Sequence, residues 1–146
     1  MKRIAIAAAL ASFCVSVAYA GPIEDRQALM KGIAAATKSA AGYAKGETPF
    51  DADKVKALLK VYVDGAAKLP TLFPDDSKTG GSSNDPTTAS PKIWEDMAGF
   101  KTTAAKLSAD ATAAMAATDT ASFAKAFGTV TGNCNACHGT YRVKKE

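Results

Sequence analysis

Two stretches in the second half of this 146-residue chain share one apolar rhythm. Ile93, Met97, Phe100, Ala104, Leu107, Ala111 and Ala114 recur in alternating steps of four and three, and so do Phe123, Phe127, Val130, Cys134, Cys137 and Tyr141. That spacing lays a narrow seam along a helix, and such a seam is buried against other helices. Composition agrees. The chain holds 32 alanines, the best helix former and a poor strand former. The expectation is an all-α fold.

Two further helices are predicted upstream. Ile23, Arg26, Met30, Ile33, Thr37, Ala41 and Ala44 follow helical steps, and Gly46 ends them. Val55, Leu58, Leu59, Tyr62, Ala66 and Leu69 form a second stripe. Asp51 is its N-cap, Phe50 is placed to staple onto Val55, and Pro70 stops it. Residues 70–90 are rich in Pro, Gly, Ser, Thr, Asp and Asn and read as a loop, long enough to run from one end of the structure to the other. Ser90 and Pro91 open a third helix expected to continue unbroken to Ala114, and a break at residues 117–120 precedes the fourth. Four helices with two short connections and one long one describe an antiparallel four-helix bundle.

The first twenty residues stand apart. Lys2 and Arg3 precede the apolar run Ile4 to Val17, and Ala18-Tyr19-Ala20 fits a small-x-small cleavage site. Residues 1–20 therefore read as a secretory signal peptide, and residues 21–146 as a single domain. Its removal takes Cys14 with it and lowers the net charge from +4 to +2. No strong basic field remains, so nucleic acid is not an expected partner. No later segment is apolar and long enough to span a membrane. The expectation is an exported, periplasmic protein.

Export leaves Cys134, Cys137 and His138, the only histidine in the chain. Cys134-Asn135-Ala136-Cys137-His138 is the Cys-x-x-Cys-His pattern of c-type haem attachment. On a helix, positions i, i+3 and i+4 share a face, so two thiols can reach two vinyl groups while the imidazole reaches the iron. A structural zinc site wants four nitrogen or sulfur ligands and finds three. A thioredoxin-like pair expects a βαβ setting that is missing. A plain disulfide leaves the adjacent histidine unexplained. Covalent haem c, with its iron on His138, is the expected cofactor. Eight residues follow His138, so a sixth ligand would come from upstream: a methionine among Met30, Met97 and Met115, a lysine, or none.

A four-helix bundle with this motif in its last helix resembles the cytochrome c prime family, including its low-spin cytochrome c-556-type relatives. The resemblance also rests on Arg26-Gln27-Ala28-Leu29-Met30-Lys31, on Lys45-Gly46-Glu47 and Phe50-Asp51-Ala52, on Leu72-Phe73-Pro74 and Pro91-Lys92-Ile93-Trp94, and on Tyr141-Arg142 after the motif. It implies that Arg26 lies near a haem propionate, that Gln27 lies in the haem vicinity, and that Met30 faces the distal side of the iron. In cytochrome c prime the residue there blocks the site without binding and leaves five-coordinate, high-spin iron. In the low-spin relatives a methionine binds as sixth ligand. The Arg-Gln-x-Leu-Met-Lys wording resembles the low-spin branch, whereas the heptad position of Met97 points to core packing. Trp94 is expected to pack, with the haem edge as one partner. Arg142 is expected one turn beyond His138, near the proximal pocket or, with Lys144 and Lys145, at the helix C-terminus.

Three functions follow as expectations. The first is a periplasmic carrier of single electrons between redox partner proteins, with iron held by His138 and Met30. The second is a five-coordinate binder of a small diatomic gas, nitric oxide or carbon monoxide. The third is a haem-free exported helical binding module. No acid–base pair suggests an enzyme. The resemblance further implies a homodimer through the first two helices.

Overall fold

The computed structural model describes residues 21–82 and 85–143. The signal peptide expected over residues 1–20 and the terminal Lys144 and Lys145 lie outside the described residues. Five helices occur among those described: α1 Pro22–Ala44, α2 Ala52–Lys68, α3 Lys92–Glu95, α4 Met97–Ala114 and α5 Thr120–Tyr141. The four long ones form the antiparallel bundle read from the sequence. Each packs on two neighbours, α1 on α2 and α5, and α4 on α2 and α5. No helix among the described residues is long and apolar enough to cross a membrane.

Local chemistry sets the ends. Gly46 adopts φ +73°, a left-handed conformation that glycine takes without strain, and Glu47 N–H turns back onto the carbonyl of Gly42 at 2.9 Å. The Asp51 carboxylate accepts from the amides of Asp53 and Lys54, as expected for an N-cap. At α5, Asp119 and Ser122 form a reciprocal capping box. Phe50 and Phe123, at the starts of α2 and α5, lie with ring centroids 6.3 Å apart. This end therefore gathers the α1–α2 turn and the N-terminus of α5. Its core is built on Val55, Leu59, Tyr62, Phe123 and Phe127.

Two expectations need correction. The helix predicted from Pro91 to Ala114 is broken at Asp96, whose backbone leaves the helical region at φ −134°, ψ 58°. The Asp96 side chain caps a new helix by accepting from Gly99 N–H at 3.0 Å. The seam keeps its phase across the break, since Ile93 and Phe100 are both buried. Nor does the long connection travel the length of the bundle. Leu72 meets Arg26 near the start of α1, Phe73 stacks edge-on with Phe100 near the start of α4, and Ser90 N–H donates to the carbonyl of Tyr141 at the end of α5. All these termini share one end, so an up-down-up-down bundle needs no crossing. The connection instead folds over that end. It forms two short 3-10 turns, Leu69–Leu72 and Asp75–Ser77, and a two-residue antiparallel ladder of Gly81–Ser82 with Asp85–Pro86.

Candidate haem site

The stripe of α5 is buried at Phe123, Phe127, Val130 and Tyr141, yet Cys134 and Cys137 are only half-buried. The seam stays in register, so the thiols are uncovered because the bundle opens there. A cavity of about 570 Å³ lies between α1, α4 and α5 and under the connection. From α1 it takes Arg26, Gln27, Met30, Ile33 and Thr37. The connection adds Leu69, Phe73 and residues 86–89, α4 adds Phe100, Thr103 and Leu107, and α5 adds Asn133, Cys134, Cys137, His138 and Tyr141, with Arg142 just beyond. The α2 helix supplies no lining residue between 52 and 68. All six residues expected at the site, Arg26, Gln27, Met30, Cys134, Cys137 and His138, therefore meet around one space.

The motif chemistry suits that space. The two cysteines are free of each other. Burial pushes both thiols up, so at neutral pH they stand as S–H groups. Burial and then the positive charge of Arg142 push His138 down, which keeps its imidazole neutral with a lone pair to give. The walls are largely apolar and aromatic. Phe73, Phe100 and Tyr141 form a run of edge-on rings at 5.0 and 5.1 Å between centroids. The charged side chains of the lining are all cationic, namely Arg26, Lys31 and Arg142. An apolar slot with two thiols, a neutral imidazole and cations at its edge fits a flat macrocycle with acidic side groups. The described residues contain no cluster of three or more histidine, cysteine or acidic side chains that could hold a bare metal ion.

Arg26 is 5% exposed. Its Nη1 donates to the carbonyl of Leu72 at 3.1 Å and to Ser77 Oγ at 2.9 Å. Nη2 donates to the carbonyl of Ser77 at 2.8 Å and to Thr87 Oγ1 at 2.7 Å. The guanidinium carbon also lies 4.7 Å from the centre of the Phe73 ring. All four hydrogens of the terminal nitrogens thus have protein acceptors.

Other expected residues sit elsewhere. Met97 packs in the cluster of Leu69, Ile93, Phe100 and Tyr141 without lining the cavity, as its heptad position predicts. Met115 packs at the far end of the bundle. Trp94 packs on Phe73, as expected, and donates its indole N–H to the carbonyls of Phe73 and Pro74, away from the cavity lining.

Some residues in and behind the walls carried no site signal in the sequence. Asn133 is buried beside Cys134 and donates to Asp110 Oδ2 at 2.7 Å, tying α5 to α4; Lys106 holds the same oxygen at 2.6 Å. Tyr62 donates its hydroxyl to Thr37 Oγ1 at 2.8 Å, and Thr37 donates to the carbonyl of Ile33. The contribution of residues 86–89 left no periodic signal, because an irregular segment has none.

Comparison with known proteins agrees with this geometry. A cytochrome c-556 of Agrobacterium fabrum is 40% identical over 99% of this chain and 97% of its own. The structure of cytochrome c' from Rhodopseudomonas palustris superposes with a TM-score of 0.79 at 46% identity, covering 88% of this chain and all of the other. A nitric oxide complex of a cytochrome c prime variant from Alcaligenes xylosoxidans superposes at 0.71 with 30% identity, over 86% and 99%. Such proteins are haem proteins and not classical enzymes. The family model for cytochrome c' matches residues 21–142, and the chain belongs to that family, whose members carry covalent haem c and its iron.

Proposed function

We propose that this chain is an exported, periplasmic carrier of single electrons. Cys134 and Cys137 hold the haem covalently, His138 is the proximal iron ligand and Met30 the distal one. The observation that carries the reading is the meeting of Met30, from α1, with both thiols and the imidazole of α5 around one apolar cavity. When bound, the haem supplies an iron that takes up and gives back one electron. The chain's own residues set the conditions. Neutral His138 offers a nitrogen lone pair, and the Met30 thioether would favour the reduced state. Arg26 brings positive charge to the cavity wall beside the carboxylates of the haem, with Gln27 next to it. The apolar walls keep water away, which limits reorganisation when the charge changes. The partners are redox proteins of the same compartment, and a homodimer through α1 and α2 belongs to the proposal.

The nitric oxide complex of the Alcaligenes xylosoxidans relative favours a second reading. If Met30 only fills the distal side, the iron is five-coordinate and open to a diatomic gas. The optical spectrum of the matured protein, oxidised and reduced, separates the two. Sharp reduced bands and a weak long-wavelength thioether-to-iron band on oxidation support the carrier. A broad high-spin spectrum that shifts with nitric oxide or carbon monoxide supports the gas binder. A protein without haem absorption would be a haem-free helical module.

A further inference from the structure

Residues 86–89 form a wall of the cavity and are fastened from two sides. On one side, Ser90 N–H donates to the carbonyl of Tyr141, Val143 N–H donates to the carbonyl of Thr88, and Ala89 pairs with Arg142 in an isolated antiparallel bridge. These are backbone contacts with the segment that ends α5. On the other side stands a side chain of α1. Arg26 of α1 reaches Thr87 Oγ1, and its remaining Nη hydrogens reach Leu72 and Ser77. A buried guanidinium with four uncharged acceptors is a costly way to fill space, since each acceptor must match a fixed fork. Here the fork joins three separated points of an irregular connection to one helix. Thr87 and Ser77 have their own turns, through Thr87 N–H to Gly80 and Ser77 N–H to Pro74. Those turns shape the segment locally but do not attach it to α1.

We propose that Arg26 is a positioning residue for the haem pocket: it pins the connection, through Thr87, as the wall that keeps water out of the cavity. The inference rests on the reading of this cavity as the haem site. It goes beyond the charge role given to Arg26 above, because an arginine that only balanced a carboxylate would not need Thr87.

The test uses the matured holoprotein with Arg26→Gln, Thr87→Val and Thr87→Ser. Backbone hydrogen exchange is followed at Thr87, and at Ala89 in Arg26→Gln alone because the Ala89 amide itself donates to Thr87 Oγ1 at 3.3 Å, with Ser90 and Val143 as references that stay fastened to the end of α5. Arg26→Gln should speed exchange at Thr87 and Ala89, and Thr87→Val at Thr87, about tenfold or more, the scale of losing a charge-assisted hydrogen bond. Ser90 and Val143 should stay within about twofold, because their backbone partners are untouched. Thr87→Ser keeps the hydroxyl and should match the wild type. The reduction potential should fall in Thr87→Val, which admits water without removing a charge, and hold in Thr87→Ser. Unchanged exchange at Thr87 in Thr87→Val overturns the inference, as does a Thr87→Ser variant that behaves like Thr87→Val. Should Arg26→Gln fail to fold, Thr87→Val decides alone. A chain that matures without haem would sink the reading of the site, and the exchange comparison would still judge the pin.

Discussion

Met30 on the first long helix and His138 on the last line the same cavity, although almost the whole domain separates them in sequence. The antiparallel packing of α1 against α5 brings them there. If Met30 is the distal ligand, Met30→Ala converts low-spin iron to a high-spin form that binds carbon monoxide readily. Met97→Ala and Met115→Ala leave the spectrum unchanged, because neither residue lines the cavity. A Met30→Ala protein that remains low-spin would remove Met30 from the ligand set.

Without its haem the domain should be loose. The cavity of about 570 Å³ opens to solvent, so the haem-free chain cannot keep its apolar walls dry. Collapse or flooding is the alternative, and either disorders the walls. Cys134→Ser with Cys137→Ser should therefore lose the sharp thermal transition and expose apolar surface to a dye. Native-like melting of the haem-free chain would contradict this.

Three carboxylates make the fold acid-sensitive. Asp110 is held below its ordinary 3.8 by the hydrogen bond from Lys106 and then by Asn133, Asp51 by the amide of Lys54, and Asp119 by the amide of Ser122. A carboxyl whose folded value is depressed binds its proton more weakly than in the unfolded chain. Its stabilisation is thus present above 3.8 and lost as pH falls through the lower folded values. The melting temperature should drop as pH goes from about 5 towards 2. The triple variant Asp51→Asn, Asp110→Asn and Asp119→Asn should show a shallower drop over that range. An identical acid slope in the variant would refute the assignment.

Tyr62→Phe should destabilise the fold by about 1 kcal/mol, the usual net worth of a hydrogen bond. The Tyr62 ring is buried and remains packed edge-on against Phe127, so only the hydroxyl and its bond to Thr37 are lost. Denaturant titration reads the change. A loss of several kcal/mol would mean that Thr37 and the cavity wall move with it.

Much of this was legible because periodicity reports burial. The seams of α4 and α5 placed Phe100, Phe123, Phe127 and Val130 in the core. The spacing of Cys134, Cys137 and His138 carried its own chemistry. Asp51 announced a helix start and capped one. What stayed hidden depends on tertiary context. Asp96 is the same N-cap residue type as Asp51, but its place inside a continuous apolar seam hid the break; its carboxylate accepts from the Gly99 amide while Ile93 and Phe100 both stay in the core. Arg26 could be placed on the inner face of α1, but its partners lie 46 to 61 residues away in a segment without period. The same holds for Asn133 and Asp110, which meet only once α4 and α5 are packed.

The ligand pair is tested most directly by the proton magnetic resonance spectrum of the reduced, matured protein. A methionine held on low-spin ferrous iron places its methyl over the macrocycle, where the ring current moves it far upfield. One three-proton resonance is expected in that region, lost in Met30→Ala and kept in Met97→Ala. A reduced protein with no upfield methyl, or one whose upfield methyl survives Met30→Ala, would contradict it.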